Sequence, residues 1–245
     1  MKEAKLAIVT FCSVLFLYQS IYPQDLDTVT AKLQSYNTEE GKLFLLGTLH
    51  GAHARNQKYT WAHFDRIVSA ISPDLILVEI RPEHFKAEEF YSDGPPEMAY
   101  IVQLALTKGI RCQGMDWWPD EWLYHFSSLT QKDFDQREDS MFTYIVSAMK
   151  ANKAKTTLVA TGAGHIDGFV ARLKQKGYKE SVPPPVNLTF SKYPDLPLQV
   201  LNLWEQGATY LSKLPLDSTD RIKQKVNFLR QLVTKKGYEF DTSKK

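Results

Sequence analysis

Apolar and polar positions change period several times along this chain, and each change marks an element. Leu43-Phe44-Leu45-Leu46, Leu75-Ile76-Leu77-Val78 and Thr157-Leu158-Val159-Ala160 are short apolar runs bounded by turn residues, the pattern of strands buried on both faces of a parallel sheet. Between the first two, Trp61, Phe64, Ile67, Val68 and Ile71 recur at helical spacing and stop before Pro73, which gives one amphipathic helix. The same reading predicts a helix over 25–35, a strand over 42–46, a loop over 51–59, a strand over 75–80 and a charged loop to about 94. Pro95 and Pro96 then open a helix to 108. A strand over 110–115, a short helical stretch after Asp116, a long helix over 133–150, a strand over 156–161 and a helix over 166–176 complete the series. Strands alternating with helices predict an α/β fold with a mostly parallel central sheet and helices on both faces.

The style changes after Gly177. Val182-Pro183-Pro184-Pro185 is held extended and leads to one more expected strand near 186–190, followed by C-terminal helices over 197–213 and 217–236. The last helix is basic on one side, a solvated face over a packed stripe or, alternatively, a membrane-surface helix. No linker divides residues 25–245, which read as a single domain.

The first 24 residues stand apart. Lys2 and Lys5 precede the apolar run from Leu6 to Leu17, the order of a secretory signal. An exported protein is expected, periplasmic, extracellular or membrane-anchored. No A-x-A-like cleavage site precedes Gln24, so the segment is either a cleaved signal peptide or a tether. The run falls short of the ~20 residues of a full membrane span.

Composition adds exclusions. The chain is 43% hydrophobic and 24% charged, with a net charge of +2, so a nucleic-acid partner is not expected. Outside the leader, Cys112 is the only cysteine, which rules out an intramolecular disulfide there and a cysteine-based zinc site. Any metal must use His, Asp or Glu.

The chemistry concentrates where two strand-like runs each end in Gly-x-x-His: Gly47-Thr48-Leu49-His50, and Gly162-Ala163-Gly164-His165. Both imidazoles are expected at the carboxyl end of a strand, the edge where open α/β sheets bind ligands. The spacing Gly162, Gly164, Gly168 is one residue too long for a dinucleotide fingerprint. Glu79 ends another apolar run, and a carboxylate there needs a cation or a metal; Arg81 or Arg137 is a candidate partner in a structural salt bridge. Asp116 poses the same question, with a helix N-cap as its plain alternative. His53 is a polar loop histidine or a fourth ligand, and His63 and His125 read as helix-surface residues.

Together, Gly47-Thr48-Leu49-His50, the run Pro73-Asp74-Leu75-Ile76-Leu77-Val78-Glu79, Arg137 with Met141 and Gly162-Ala163-Gly164-His165-Ile166-Asp167-Gly168 resemble the TraB/TIKI-type family. That family belongs to a wider group with erythromycin esterase-like and ChaN-like haem-uptake proteins. The resemblance covers about residues 42–169 and the order of the motifs. It implies His50, Glu79, Arg137 and His165 as the functional set, with TIKI-type members resembling metal-dependent proteases and esterase-like members using a histidine to activate water. Two departures stand out: Glu138 where the esterase-like pattern has Asp after the arginine, and Arg81-Pro82-Glu83-His84 after the glutamate.

The expected activity is hydrolysis of a peptide or ester bond. A divalent ion such as manganese, cobalt or zinc, held by His50, Glu79 and His165, lowers the pKa of its water toward ~7, and Arg137 steadies the oxyanion. Without metal, His50 is a general base oriented by Glu79. His53, Arg81 and Asp116 are additional candidates. The alternative class is a noncatalytic binder of haem, metal or a small ligand in the same cleft, with Trp117, Trp118 and Trp122 lining a slot. No Gly-x-Ser-x-Gly elbow supports a serine hydrolase.

Overall fold

The computed structural model describes residues 32–50, 53, 59–90, 94–122, 128–188 and 198–212. The expected leader, the helix over 217–236 and His125 lie outside the described residues. Among the described residues, no helix is long and apolar enough to cross a membrane.

The strands are β1 (Lys32–Asn37), β2 (Lys42–Thr48), β3 (Leu75–Val78), β4 (Arg111–Gly114), β5 (Thr156–Gly162) and β6 (Lys179–Ser181). The helices are α1 (Trp61–Ile71), α2 (Pro82–Lys86), α3 (Pro96–Thr107), α4 (Gln131–Asn152), α5 (Ile166–Gln175) and α6 (Leu198–Ser212). The strands form one sheet in the order β4-β3-β5-β2-β1-β6. The pairs β4·β3, β3·β5 and β5·β2 are parallel, while β1 runs antiparallel to both β2 and β6. The fold is therefore α/β with a mixed, mostly parallel sheet.

Successive side chains on the strands separate two cores. Phe44, Leu46, Ile76, Val78, Leu158 and Ala160 face α1, α3 and α6, joined there by Phe64, Ile101 and Trp204. Leu43, Leu45, Leu75, Leu77 and Val159 face α4 and α5, joined by Met141, Ile145 and Phe169. Helices thus cover both faces, which is why the three apolar runs lack alternation.

Three local expectations are corrected. Residues 32–35, expected in a helix, belong to β1, because the otherwise open edge of β2 takes up Lys32–Asn37 in register from Lys32 opposite Gly47 to Asn37 opposite Lys42; backbone pairing outweighs a weak local propensity. The strand β3 stops at Val78, where the Ile80 N–H turns back to the Val78 carbonyl at 2.8 Å. The late strand is β6 rather than 186–190; residues 186–188 are not in a strand, and 189–190 lie outside the described residues.

Candidate functional site

The strands β2, β3 and β5 are neighbours and run the same way, so their carboxyl ends share one edge. Glu79 follows β3 directly, Gly162 ends β5, and His50 lies two residues beyond β2. Adjacent parallel strands whose helices leave on different faces form the crevice in which such sheets bind ligands. The edge brings His50, Glu79, Arg137 and His165 into one electrostatic cluster.

Glu79 is its centre and is 4% exposed. One oxygen, Oε2, accepts from the Thr161 hydroxyl at 2.9 Å and the Gly162 N–H at 2.6 Å. The other, Oε1, accepts from Arg137 Nη2 at 2.8 Å and lies 3.7 Å from His165 Nε2. Burial alone would raise its pKa, but His165, Arg137 and His50 hold the carboxyl well below the ordinary range. Arg137, on α4, also grips both oxygens of Asp116, through Nε at 2.8 Å and Nη2 at 2.8 Å. Its Nη1 has no partner among the described residues. Asp116 is further fixed by the Trp117 N–H and by Trp118 Nε1. It therefore anchors the arginine and is not a helix cap.

Each imidazole is backed by a second carboxylate. Nδ1 of His165 lies 3.1 Å from Glu138 Oε1, and Glu138 is bound on its other oxygen by Arg172 at 2.9 Å. Burial would lower the His165 pKa, but Glu138 and Glu79 raise it to about 9. Glu138 therefore turns inward, although most charges on an amphipathic helix face water. Gly168 gives it room: a β-carbon there would collide with the Glu138 carboxylate.

His50 Nδ1 lies 3.0 Å from Glu97 Oε1, so its orienting carboxylate is Glu97 and not Glu79 as expected. The ring is enclosed on that side yet keeps 44% of its side-chain surface exposed. Enclosure would lower the pKa, but Glu97, with a contribution from Glu79, raises it above the ordinary value. His50 also has φ 50°, a left-handed conformation that costs a non-glycine residue on the order of 1 kcal/mol or more.

Little in the residue pattern marks Glu97 as part of the site. It sits in the first turn of a helix opened by two prolines, where an acid reads as a partner for the helix dipole. An acid three residues before the buried Tyr100 and four before the buried Ile101 is its only signal.

Three other candidates have structural roles. His53 is 1% exposed; its Nδ1–H donates to the Tyr59 carbonyl at 2.7 Å and its Nε2 accepts the Leu49 N–H at 2.7 Å. With both nitrogens occupied it is not a fourth ligand, and burial lowers its pKa to about 4. His63 is not a surface residue but 1% exposed: Nδ1 accepts the Thr60 N–H and Nε2 meets the Leu188 carbonyl. Arg81 does not pair with Glu79. It binds Asp120, stacks over Trp118 at 4.1 Å and reaches His84. Trp118 is thereby committed to packing, and Trp117 meets Trp122 edge-on; both Trp117 and Trp118 line a pocket of about 280 Å³ beside Asp116.

Among the described residues, no group of three His, Cys, Asp or Glu side chains is gathered so as to hold a metal ion. The cluster's charges are nonetheless matched. Glu79, Glu97, Asp116 and Glu138 face two guanidinium groups, Arg137 and Arg172, and two imidazoles. Apart from the exposed Asp139, which also binds Arg172 at 2.7 Å, protonation of both imidazoles makes it neutral.

No protein-family model matches the chain, and no curated protein or solved structure is significantly similar to it.

Proposed function

We propose that this chain hydrolyses a peptide or ester bond at the edge formed by β2, β3 and β5, in keeping with its resemblance to the TraB/TIKI-type family and with export through its N-terminal segment. One observation carries the reading: two imidazoles, each with Nδ1 on its own carboxylate, flank Glu79, with His165 Nε2 turned to Glu79 Oε1 at 3.7 Å and His50 Nε2 left uncommitted. That is the arrangement of a general base and a charged donor rather than of two packed core histidines.

His50, the more exposed of the two, takes a proton from water at Nε2 as the water oxygen bonds to the substrate carbonyl carbon. The carbonyl π electrons move to oxygen, forming an oxyanion. His165 stays protonated at neutral pH, and with the free Nη1 of Arg137 it stabilises that charge. When the tetrahedral centre collapses, the carbon–leaving-group bond breaks and the proton on His50 passes to the departing amine or alcohol. Glu79 holds His165 and Arg137 in place, and Asp116 fixes the arginine's plane.

A divalent metal is the second reading, favoured by the same Nδ1–carboxylate contacts, which are the usual outer-shell partners of metal-bound histidines. His50 Nε2, His165 Nε2 and Glu79 are donors of the type a manganese, cobalt or zinc ion takes and would hold one only on drawing closer together than they stand here; its charge would replace two imidazolium protons. Such an ion would supply a water that ionises near neutral pH.

The test is a panel of fluorogenic esters and peptides with the purified chain, with and without a chelator. Turnover that His50→Gln abolishes supports the proposal. Chelator resistance favours the proton-transfer reading, and loss restored by metal favours the second. Turnover unchanged in His50→Gln refutes both. Absence of turnover together with a visible Soret band would favour the noncatalytic haem binder instead.

A further inference from the structure

Glu97 is the most deeply buried acid of the described residues, with 0% exposure. Its Oε1 accepts from the Thr48 hydroxyl at 2.5 Å and faces His50 Nδ1 at 3.0 Å. Its Oε2 is buried with no hydrogen-bond partner among the described residues. A helix-dipole role does not require this placement, since an exposed acid in the first turn serves the dipole as well. An unpaired oxygen on a buried carboxylate is destabilising. A residue retained for stability alone would not leave it so, and such violations concentrate at functional sites.

The geometry dictates a proton position. Because Oε1 of an ionised carboxylate only accepts, Nδ1 of His50 must carry hydrogen and donate. Nε2 of the neutral ring then holds the lone pair. That edge of the ring lies against Gly162: a β-carbon on Gly162 would be 2.5 Å from Nε2 and 3.4 Å from Glu79 Oε2. The strained backbone of His50 is thus stabilised by a carboxylate 47 residues away in sequence.

We propose that Glu97, seated by the Thr48 hydroxyl, is a positioning residue for His50, fixing the tautomer whose free Nε2 lone pair faces the Glu79 side of the cleft. This deepens the hydrolase reading, which rests on His50 as base, but it makes a claim about the ring that needs no substrate. A general base must present its lone pair to water, and the opposite tautomer would present an N–H there.

The experiment is a long-range ¹H–¹⁵N imidazole correlation on the full chain, at a pH where His50 is neutral, for wild type, Glu97→Gln and Glu97→Leu. Wild type should show Nδ1–H at His50. Glu97→Leu, which offers no acceptor, should move the ring toward Nε2–H, and Glu97→Gln should give a mixture, because an amide can accept or donate. On a substrate found in the panel, kcat of Glu97→Leu should fall by about 10²-fold, the scale of a lost general base, with KM little changed. Glu97→Gln should recover part of it. A wild-type ring protonated at Nε2 overturns the proposal, and so does a wild-type tautomer in Glu97→Gln combined with unchanged kcat. Should Glu97→Leu fail to fold, the wild type and Glu97→Gln still decide. The expected tautomers without turnover on any substrate would sink the hydrolase reading and leave the positioning role standing.

Discussion

The imidazole of His50 lies against the α-carbon of Gly162, so close that a β-carbon there would sit 2.5 Å from both Cε1 and Nε2. Gly47 returns the arrangement: a β-carbon on it would be 3.2 Å from Ala163 and Ile166. The two Gly-x-x-His segments therefore interlock. Each glycine is the seat of the other segment, because β2 and β5 pair in parallel with Gly47 opposite Thr161 and Thr48 opposite Gly162.

Gly162→Ala follows directly. The methyl must push the His50 ring away from Glu79 and from its bond to Glu97. The expected result is loss of His50-dependent turnover by about 10²-fold or more, the scale of a lost general base, with overpacking destabilising the fold by about 1–3 kcal/mol. Steady-state kinetics and urea unfolding measure the two effects. Wild-type turnover in this variant would detach His50 from the chemistry.

Much of this site was legible from residue pattern alone. The apolar runs gave the parallel strands, and Gly-x-x-His placed both histidines at one edge, because a strand buried on both faces leaves only its end for polar side chains. Glu79 was readable for the same reason: a charge after an apolar run demands a partner, and Arg137 was one of two candidates for it, singled out by the family resemblance. Glu97 was not, since its meaning lies in a contact with His50 that local pattern does not encode. His53 and His63 were misjudged because burial of a histidine, in a loop or on a helix, depends on which carbonyls fold over it, here those of Tyr59 and Leu188. The β1 strand was missed because its pairing with β2 is decided by the open sheet edge, not by its own mixed sequence.

Gly168→Ala sets two effects against each other. Alanine improves helix propensity in α5 by about 1 kcal/mol, yet its β-carbon would collide with the Glu138 carboxylate. Glu138 must leave its bonds to His165 and Arg172. Stability should change little while activity falls and the pKa of His165 drops, an outcome that thermal unfolding and NMR titration of the imidazole would separate. A His165 titration unchanged from wild type would contradict it.

Arg137→Lys keeps a charge but loses the planar fork that holds both Asp116 oxygens and Glu79 together. Lysine cannot satisfy two nearly buried carboxylates at once. Turnover should fall by roughly 10²-fold. Arg137→Met, which strands both carboxylates, should destabilise by about 3–5 kcal/mol. Equal unfolding free energies for wild type and Arg137→Met would remove the ion-pair network from the account of stability.

His53 sets the acid side of the stability profile. Its pKa falls from 6.5 in the unfolded chain to about 4 when folded, so the unfolded state binds more protons between those values. The contribution is fully present above about pH 6.5 and is lost as pH drops toward 4, amounting to about 3 kcal/mol. His53→Gln, able to accept from Leu49 and donate to Tyr59, should flatten that slope. Unfolding free energies at pH 4.5 and 6.5 compare the two proteins, and equal slopes would refute the assignment.

His165 acts with the opposite sign. Its pKa rises from 6.5 to about 9 on folding, so the folded state binds the extra proton. The stabilisation is complete below about pH 6.5 and declines as pH rises through 9, again by about 3 kcal/mol. Because the His53 loss begins where the His165 gain is complete, the metal-free protein should be most stable near pH 6.5. His165→Gln should keep the acid slope and lose the alkaline one, while Glu138→Gln, which removes the first of the two carboxylates raising that pKa, should shift the alkaline decline to lower pH. Denaturant unfolding from pH 5 to 9.5 reads all three curves. An alkaline slope that survives in His165→Gln would place the titrating group elsewhere and dissolve the claim that a protonated His165 sits beside Glu79 at neutral pH.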